Sequence, residues 1–76
     1  MSTERELRQL YQDVHFFAAA LSEALISVWE EDPAGVYAEV ERGFIDQYTA
    51  DYVRVQNVDT GNRTHYSRYT AMFKRI

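Results

Sequence analysis

Apolar side chains at Leu7, Leu10, Tyr11, Val14, Phe17, Ala18, Leu21, Ala24, Leu25, Val28 and Trp29 recur at intervals of three and four. That is the period of a helix with one apolar stripe, and it predicts a single long amphipathic helix over residues 3–29. Thr3 followed three residues later by Glu6 reads as a capping box, in which hydroxyl and carboxylate reciprocally satisfy backbone donors at the helix start. Pro33 ends the helix, because its ring clashes with the preceding turn and holds Asp32 in extended geometry.

Asp32-Pro33 is also a restart signal, with aspartate as N-cap and proline in the first turn. Val36, Tyr37, Val40, Phe44, Ile45 and Tyr48 then follow at helical spacing and predict a second, shorter helix over 33–48. Two features pull the other way. Gly43 costs a helix interior about 1 kcal/mol, and Val36, Ala38 and Val40 alternate with Tyr37, Glu39 and Glu41 as a strand would. From Tyr52 the pattern turns to β: Tyr-Val-Arg-Val-Gln-Asn-Val alternates and is β-branched, Asp59-Thr60-Gly61 supplies a hairpin loop, and a returning strand follows from Arg63 to about Phe73. The expected fold is α+β: a long N-terminal helix, a shorter second helix and a C-terminal β-hairpin. If 33–48 is a strand, the alternative is one long helix packed on a three-stranded antiparallel sheet. Either way residues 1–76 form a single small domain.

Projected at 100° per residue, the apolar stripe of the long helix occupies an arc of about 140°. Phe16 falls nearly opposite it, with Ala19 and Ala20 beside it and Ile26 on one flank, so the middle of the helix is apolar all round. A helix over 3–29 is about 40 Å long, longer than the roughly 30 Å diameter of a compact chain of this size. An overhanging, two-sided helix predicts a contact with another molecule, and Phe16, Ala19, Ala20 and Ile26 are the candidate surface, for a homodimer or for another protein.

Length and composition narrow the function. Seventy-six residues bury only about 60% of the surface an unfolded chain exposes, so stability is thin without help. There is no cysteine, which removes disulfides and thiolate metal sites and is compatible with a reducing compartment. Hydrophobic content of 46% is too high for a disordered chain. The start of the chain carries Glu4 and Glu6 rather than a basic region and an apolar run, so no signal peptide is read there. The longest apolar run, 16–21, is far short of the roughly 20 residues of a membrane span. A cytoplasmic protein with no membrane partner is expected.

The net charge of −4 conceals an asymmetry. Residues 1–51 hold eleven acids against three arginines, a balance of −8, whereas residues 52–76 hold five cations against Asp59 alone, a balance of +4. Arg54, Arg63, Tyr66, Arg68, Tyr69, Lys74 and Arg75 interleave cations with rings, the composition that meets phosphates and stacks on bases. The plainer reading is that these cations neutralise the acids of the same chain. Glu30 and Glu31 stand at the predicted helix end, where the macrodipole disfavours anions, and are candidate contacts for a basic partner.

Catalytic chemistry is poorly represented. His15 and His65 are not spaced as a metal pair, Glu30-Glu31-Asp32 lacks the alternating ligands of a calcium loop, the serines stand in no nucleophile elbow, and the three glycines are isolated. No metal, cofactor or small-molecule substrate is expected, and the protein is read as non-enzymatic. The leading function is a protein-interaction or regulatory module. The alternatives are nucleic-acid binding through the basic aromatic C-terminal hairpin, and an acidic inhibitor that occupies the basic nucleic-acid-binding groove of a partner.

Overall fold

A computed structural model describes residues 9–76. It is mostly β: strands β1 (Gln9–Leu10), β2 (Ile26–Glu31), β3 (Tyr37–Tyr48), β4 (Tyr52–Asn57), β5 (Arg63–Ser67) and β6 (Ala71–Arg75), with one helix, α1 (Asp13–Leu21), between β1 and β2. All pairings are antiparallel, and the six strands form one sheet in the order β1-β6-β2-β3-β4-β5.

This overturns the expected α+β fold with its long amphipathic helix, and the three-stranded alternative as well. The helix has nine residues, and it stops at Leu21. Glu23 adopts the left-handed conformation, with φ of 53°. The amide of Glu23 donates to Ala20 O at 3.2 Å and that of Ala24 to Ala19 O at 2.9 Å, the paired bonds of a Schellman ending. Such endings normally carry glycine at the left-handed position, so a glutamate there gives no sequence signal. The chain then enters β2, and Leu25, Val28 and Trp29 continue the three-and-four spacing by coincidence. At the other end, Tyr11 N–H and Gln12 N–H both donate to His15 Nδ1 at 3.2 Å, so His15 closes the first turn. The Thr3–Glu6 capping box lies outside the described residues.

The predicted second helix is the strand β3, and Gly43 is its pivot. Gly43 is the Cα partner of Ile26 on one side and of Asn57 on the other, so β3 passes from β2 to β4 at this point. A Cβ there would lie 2.0 Å from Gln56 O, so no other residue permits the close approach. Register shifts at Val28/Trp29 and Ile45/Gln47 bend the sheet on either side. The predicted returning strand is interrupted: β5 ends at Ser67, Arg68–Thr70 turn, and β6 crosses to pair with β2.

That short turn forces the sheet to curl. β6 and β5 are separated by four strand spacings in the sheet, about 19 Å if the sheet were flat. The four residue steps from Ser67 to Ala71 reach about 14 Å at most. The sheet therefore rolls into a half-closed barrel, and the described residues span 31 × 27 × 24 Å; among them no element overhangs. The interior holds Ile26, Val28, Ile45, Val53, Val55 and Phe73 from the strands, Leu10 from β1, and Phe16 and Ala19 from α1. Phe16 is 1% exposed, meets Phe73 edge to face with ring centres 5.5 Å apart, and lies 6.1 Å from Tyr48.

Candidate functional site

The structure places the predicted helix surface inside the protein. Phe16, Ala19 and Ile26 are buried and Ala20 packs against them, so the residues chosen as a partner surface hold α1 onto the sheet. The reason is the shortened helix: with no overhang, the Phe16 side of α1 is the side that meets the barrel. What it leaves outside is the other apolar side. Val14, Phe17 and Leu21 of α1, with Tyr11 just before it, are 55–74% exposed. At 100° per residue Val14, Phe17 and Leu21 point within about 30° of one direction, roughly opposite Phe16 and Ala19. The sequence contained them, but as members of the stripe assigned to the core.

The predicted basic face is dispersed. Arg54 Nε and Arg63 Nε approach the same Asp46 carboxylate oxygen at 2.6 and 3.1 Å. The Arg54 Nε–H is not directed at an acceptor, so that contact is one of charge rather than of an aligned hydrogen bond. Arg68, 13% exposed, donates to Asp13 Oδ1 at 2.7 Å and to the carbonyl of Thr49. Lys74 Nζ sits 4.7 Å from the Trp29 ring centre, and Trp29 Nε1–H donates to Ser27 Oγ at 2.9 Å. Arg75 is half-buried next to Ile26 on β6. Each of Arg54, Arg63, Arg68 and Lys74 thus already meets an acid or a ring of its own chain.

The two tyrosines of that stretch have separate roles. Tyr66 packs against the core beside Val53, and its hydroxyl donates a hydrogen bond to Glu41 Oε1, while Asn57 Nδ2 donates to Glu41 Oε2 at 2.9 Å. Burial, then the hydrogen bond to Glu41 and its charge, push the Tyr66 phenol well above its ordinary range. Tyr69 lies on the surface at the β5–β6 turn, donates to Asp51 Oδ1 at 2.8 Å, and is pushed up by that bond and that charge.

Glu30 and Glu31 sit at the far end of β2, in the exposed β2–β3 hairpin. With Tyr37, Tyr69 and Thr70 they line a cleft of about 470 Å³. The hairpin tip is held by Asp32, whose Oδ1 accepts from the amides of Ala34 and Val36, each at 2.9 Å. Among the described residues no group of three or more His, Cys, Asp or Glu side chains is placed to hold a metal ion, and no helix is long and apolar enough to cross a membrane.

No protein-family profile matches the chain, no curated protein is detectably similar to it in sequence, and no solved structure matches it.

Proposed function

We propose that this chain is a small protein-interaction module that pairs with a second copy of itself through the outer face of α1. The observation that carries the reading is the exposure of Tyr11, Val14, Phe17 and Leu21 on one side of a nine-residue helix whose other side is buried. Large apolar side chains clustered on one exposed surface mark contact sites. None of Tyr11, Val14, Phe17 and Leu21 is charged, so the centre of such a contact is free of like charges, even though the chain as a whole carries −4. An antiparallel pairing about a twofold axis brings Leu21 of one copy towards Tyr11 of the other and the two Phe17 rings together at the centre. Ala18, also exposed, is small enough to let the helices approach closely. In this reading the chain acts by binding rather than by catalysis, in the cytoplasm, where a cysteine-free composition is at home.

Nucleic-acid binding through the C-terminal stretch is the weaker reading. Arg54 and Arg63 share Asp46, Arg68 is committed to Asp13 and Thr49, and Lys74 to Trp29; a phosphate would have to displace these contacts.

The test is a solution mass by light scattering at tens of micromolar. The wild type is expected at twice the 8.9 kDa chain mass, and Phe17→Glu with Leu21→Glu at the chain mass with an unchanged circular dichroism spectrum. A monomeric wild type rules out self-association.

A further inference from the structure

The cleft between the β2–β3 hairpin and the β5–β6 turn has a chemistry that the self-association of α1 does not use. Its lining is Glu30, Glu31, Tyr37, Tyr69 and Thr70, and it shares no residue with the outer helix face. We propose that it is a binding site for the cationic end of a basic side chain on a partner protein, held against the Tyr37 and Tyr69 rings and neutralised by Glu30 and Glu31.

Three observations carry this. The walls are aromatic as well as acidic: Tyr37 and Tyr69 are both exposed large rings, and the face of a phenol ring attracts a cation within about 6 Å of its centre. The walls are also built in advance. Glu31 and Tyr37 are cross-strand partners, which sets a carboxylate and a ring side by side on one face. The Asp32 turn clamps the hairpin behind them, and Asp32 N–H donates to Val36 O at 2.9 Å. Across the cleft, Tyr69 is fixed at both ends, its amide donating to Ser67 Oγ at 3.1 Å and its hydroxyl to Asp51 Oδ1 at 2.8 Å. The bond to Asp51 also enriches the Tyr69 ring in electrons, which strengthens its attraction for a cation.

The same lining selects against other ligands. Two carboxylates repel phosphates and other anions. Phenol rings offer a metal ion no strong ligand, whereas an alkylammonium or a guanidinium presents both a diffuse charge and an apolar stem that suit a ring-walled cleft. A volume of about 470 Å³ is within the range of small-ligand clefts and ample for one side-chain end.

The experiment is a titration of the full chain with n-butylammonium, tetramethylammonium and n-butylguanidinium chlorides, against sodium chloride at matched ionic strength, followed by NMR shifts of backbone amides and tyrosine rings. At least one organic cation is expected to give saturable shifts concentrated on Tyr37, Tyr69 and Thr70, and the ranking of the three distinguishes lysine, methylated lysine and arginine as the source. Tyr37→Leu and Tyr69→Leu are each expected to weaken binding by about two- to fivefold. Glu30→Gln with Glu31→Gln, which leaves both rings in place, should weaken it as well. Absence of saturable shifts with all three probes up to tens of millimolar overturns the proposal. So does binding that persists unchanged in the folded Glu30→Gln/Glu31→Gln variant. A monomeric wild type would remove the self-association reading and leave this one standing.

Discussion

The guanidinium of Arg68 lies 4.5 Å from the centre of the Phe16 ring, so a cation from the β5–β6 turn covers the ring that fastens the helix to the sheet. The same guanidinium reaches Asp13 at the start of α1 and the carbonyl of Thr49 between β3 and β4, while its backbone N–H donates to Asp51 O at 2.9 Å. Three chain segments far apart in sequence meet on one side chain. Arg68→Ala is expected to destabilise the fold by about 2 kcal/mol, through the lost ring contact and the unpaired Thr49 carbonyl. Asp13→Ala removes only an exposed partner and should cost less than about 1 kcal/mol. Urea denaturation of the two variants measures the contrast.

Phe16 and Phe17 are neighbours with opposite roles, at 1% and 55% exposure. Phe16→Ala is expected to cost about 3–5 kcal/mol, enough to unfold a chain this small. Phe17→Ala should leave monomer stability within about 0.5 kcal/mol of wild type and act on association instead. Thermal melts over a range of protein concentrations separate the two effects.

Gly43→Ala places a methyl against the Gln56 backbone oxygen and, because backbone cannot move aside as a flexible side chain can, should cost about 3 kcal/mol or more. Gly35 is the control. Its φ of +83° is unfavourable for other residues but its surroundings are open, so Gly35→Ala should cost only about 1–2 kcal/mol. Circular dichroism at rising temperature reads both.

Glu23 occupies a left-handed position at the end of α1. Glu23→Gly relieves a backbone cost of about 1–2 kcal/mol and gives back up to about 1 kcal/mol in unfolded-chain entropy. A net gain of about 0.5 kcal/mol, seen as a higher Tm, is the expected result.

Tyr66 makes a prediction for alkaline pH. Its phenol is held above its usual range by burial and by Glu41, so the folded chain keeps a proton that the unfolded chain gives up near about pH 10. Stability from this source is complete below that pH and falls as pH rises beyond it, since the folded state then binds more protons than the unfolded one. The drop in Tm between neutral and alkaline pH should be smaller in Tyr66→Phe than in wild type. An equal drop in both would assign the effect to other groups.

Parts of this organisation were readable along the chain. The alternation of Tyr52 to Asn57 and the turn residues after it mark β4 and its pairing with β5, because a hairpin is a local object. The helical character of 13–21 is also local. Its orientation is not: apolar residues lie on both sides of α1, and spacing reports which residues share a face without reporting which face is inside. Phe16 and Val14 therefore exchanged places between expectation and structure. The same limit hid the cleft, since Glu30, Glu31 and Tyr37 are separated from Tyr69 by more than thirty positions in the chain and come together only when β6 pairs with β2.

By itself the sequence determined that the chain is apolar enough to fold, that it has no cysteine to crosslink, that its charge is unevenly divided, and that a strand from Tyr52 turns back through Asp59-Thr60-Gly61. Each of these follows from composition or from neighbours a few residues apart. Only the tertiary structure decided that the helix stops at Leu21, that 37–48 is a strand, that Arg54, Arg63 and Arg68 are bound to acids of their own chain, and that Phe17 rather than Phe16 faces outward. Those outcomes depend on strand pairing over long sequence distances. There the shared burial of a half-closed barrel outweighs the few tenths of a kcal/mol per residue by which local propensity favours helix over strand.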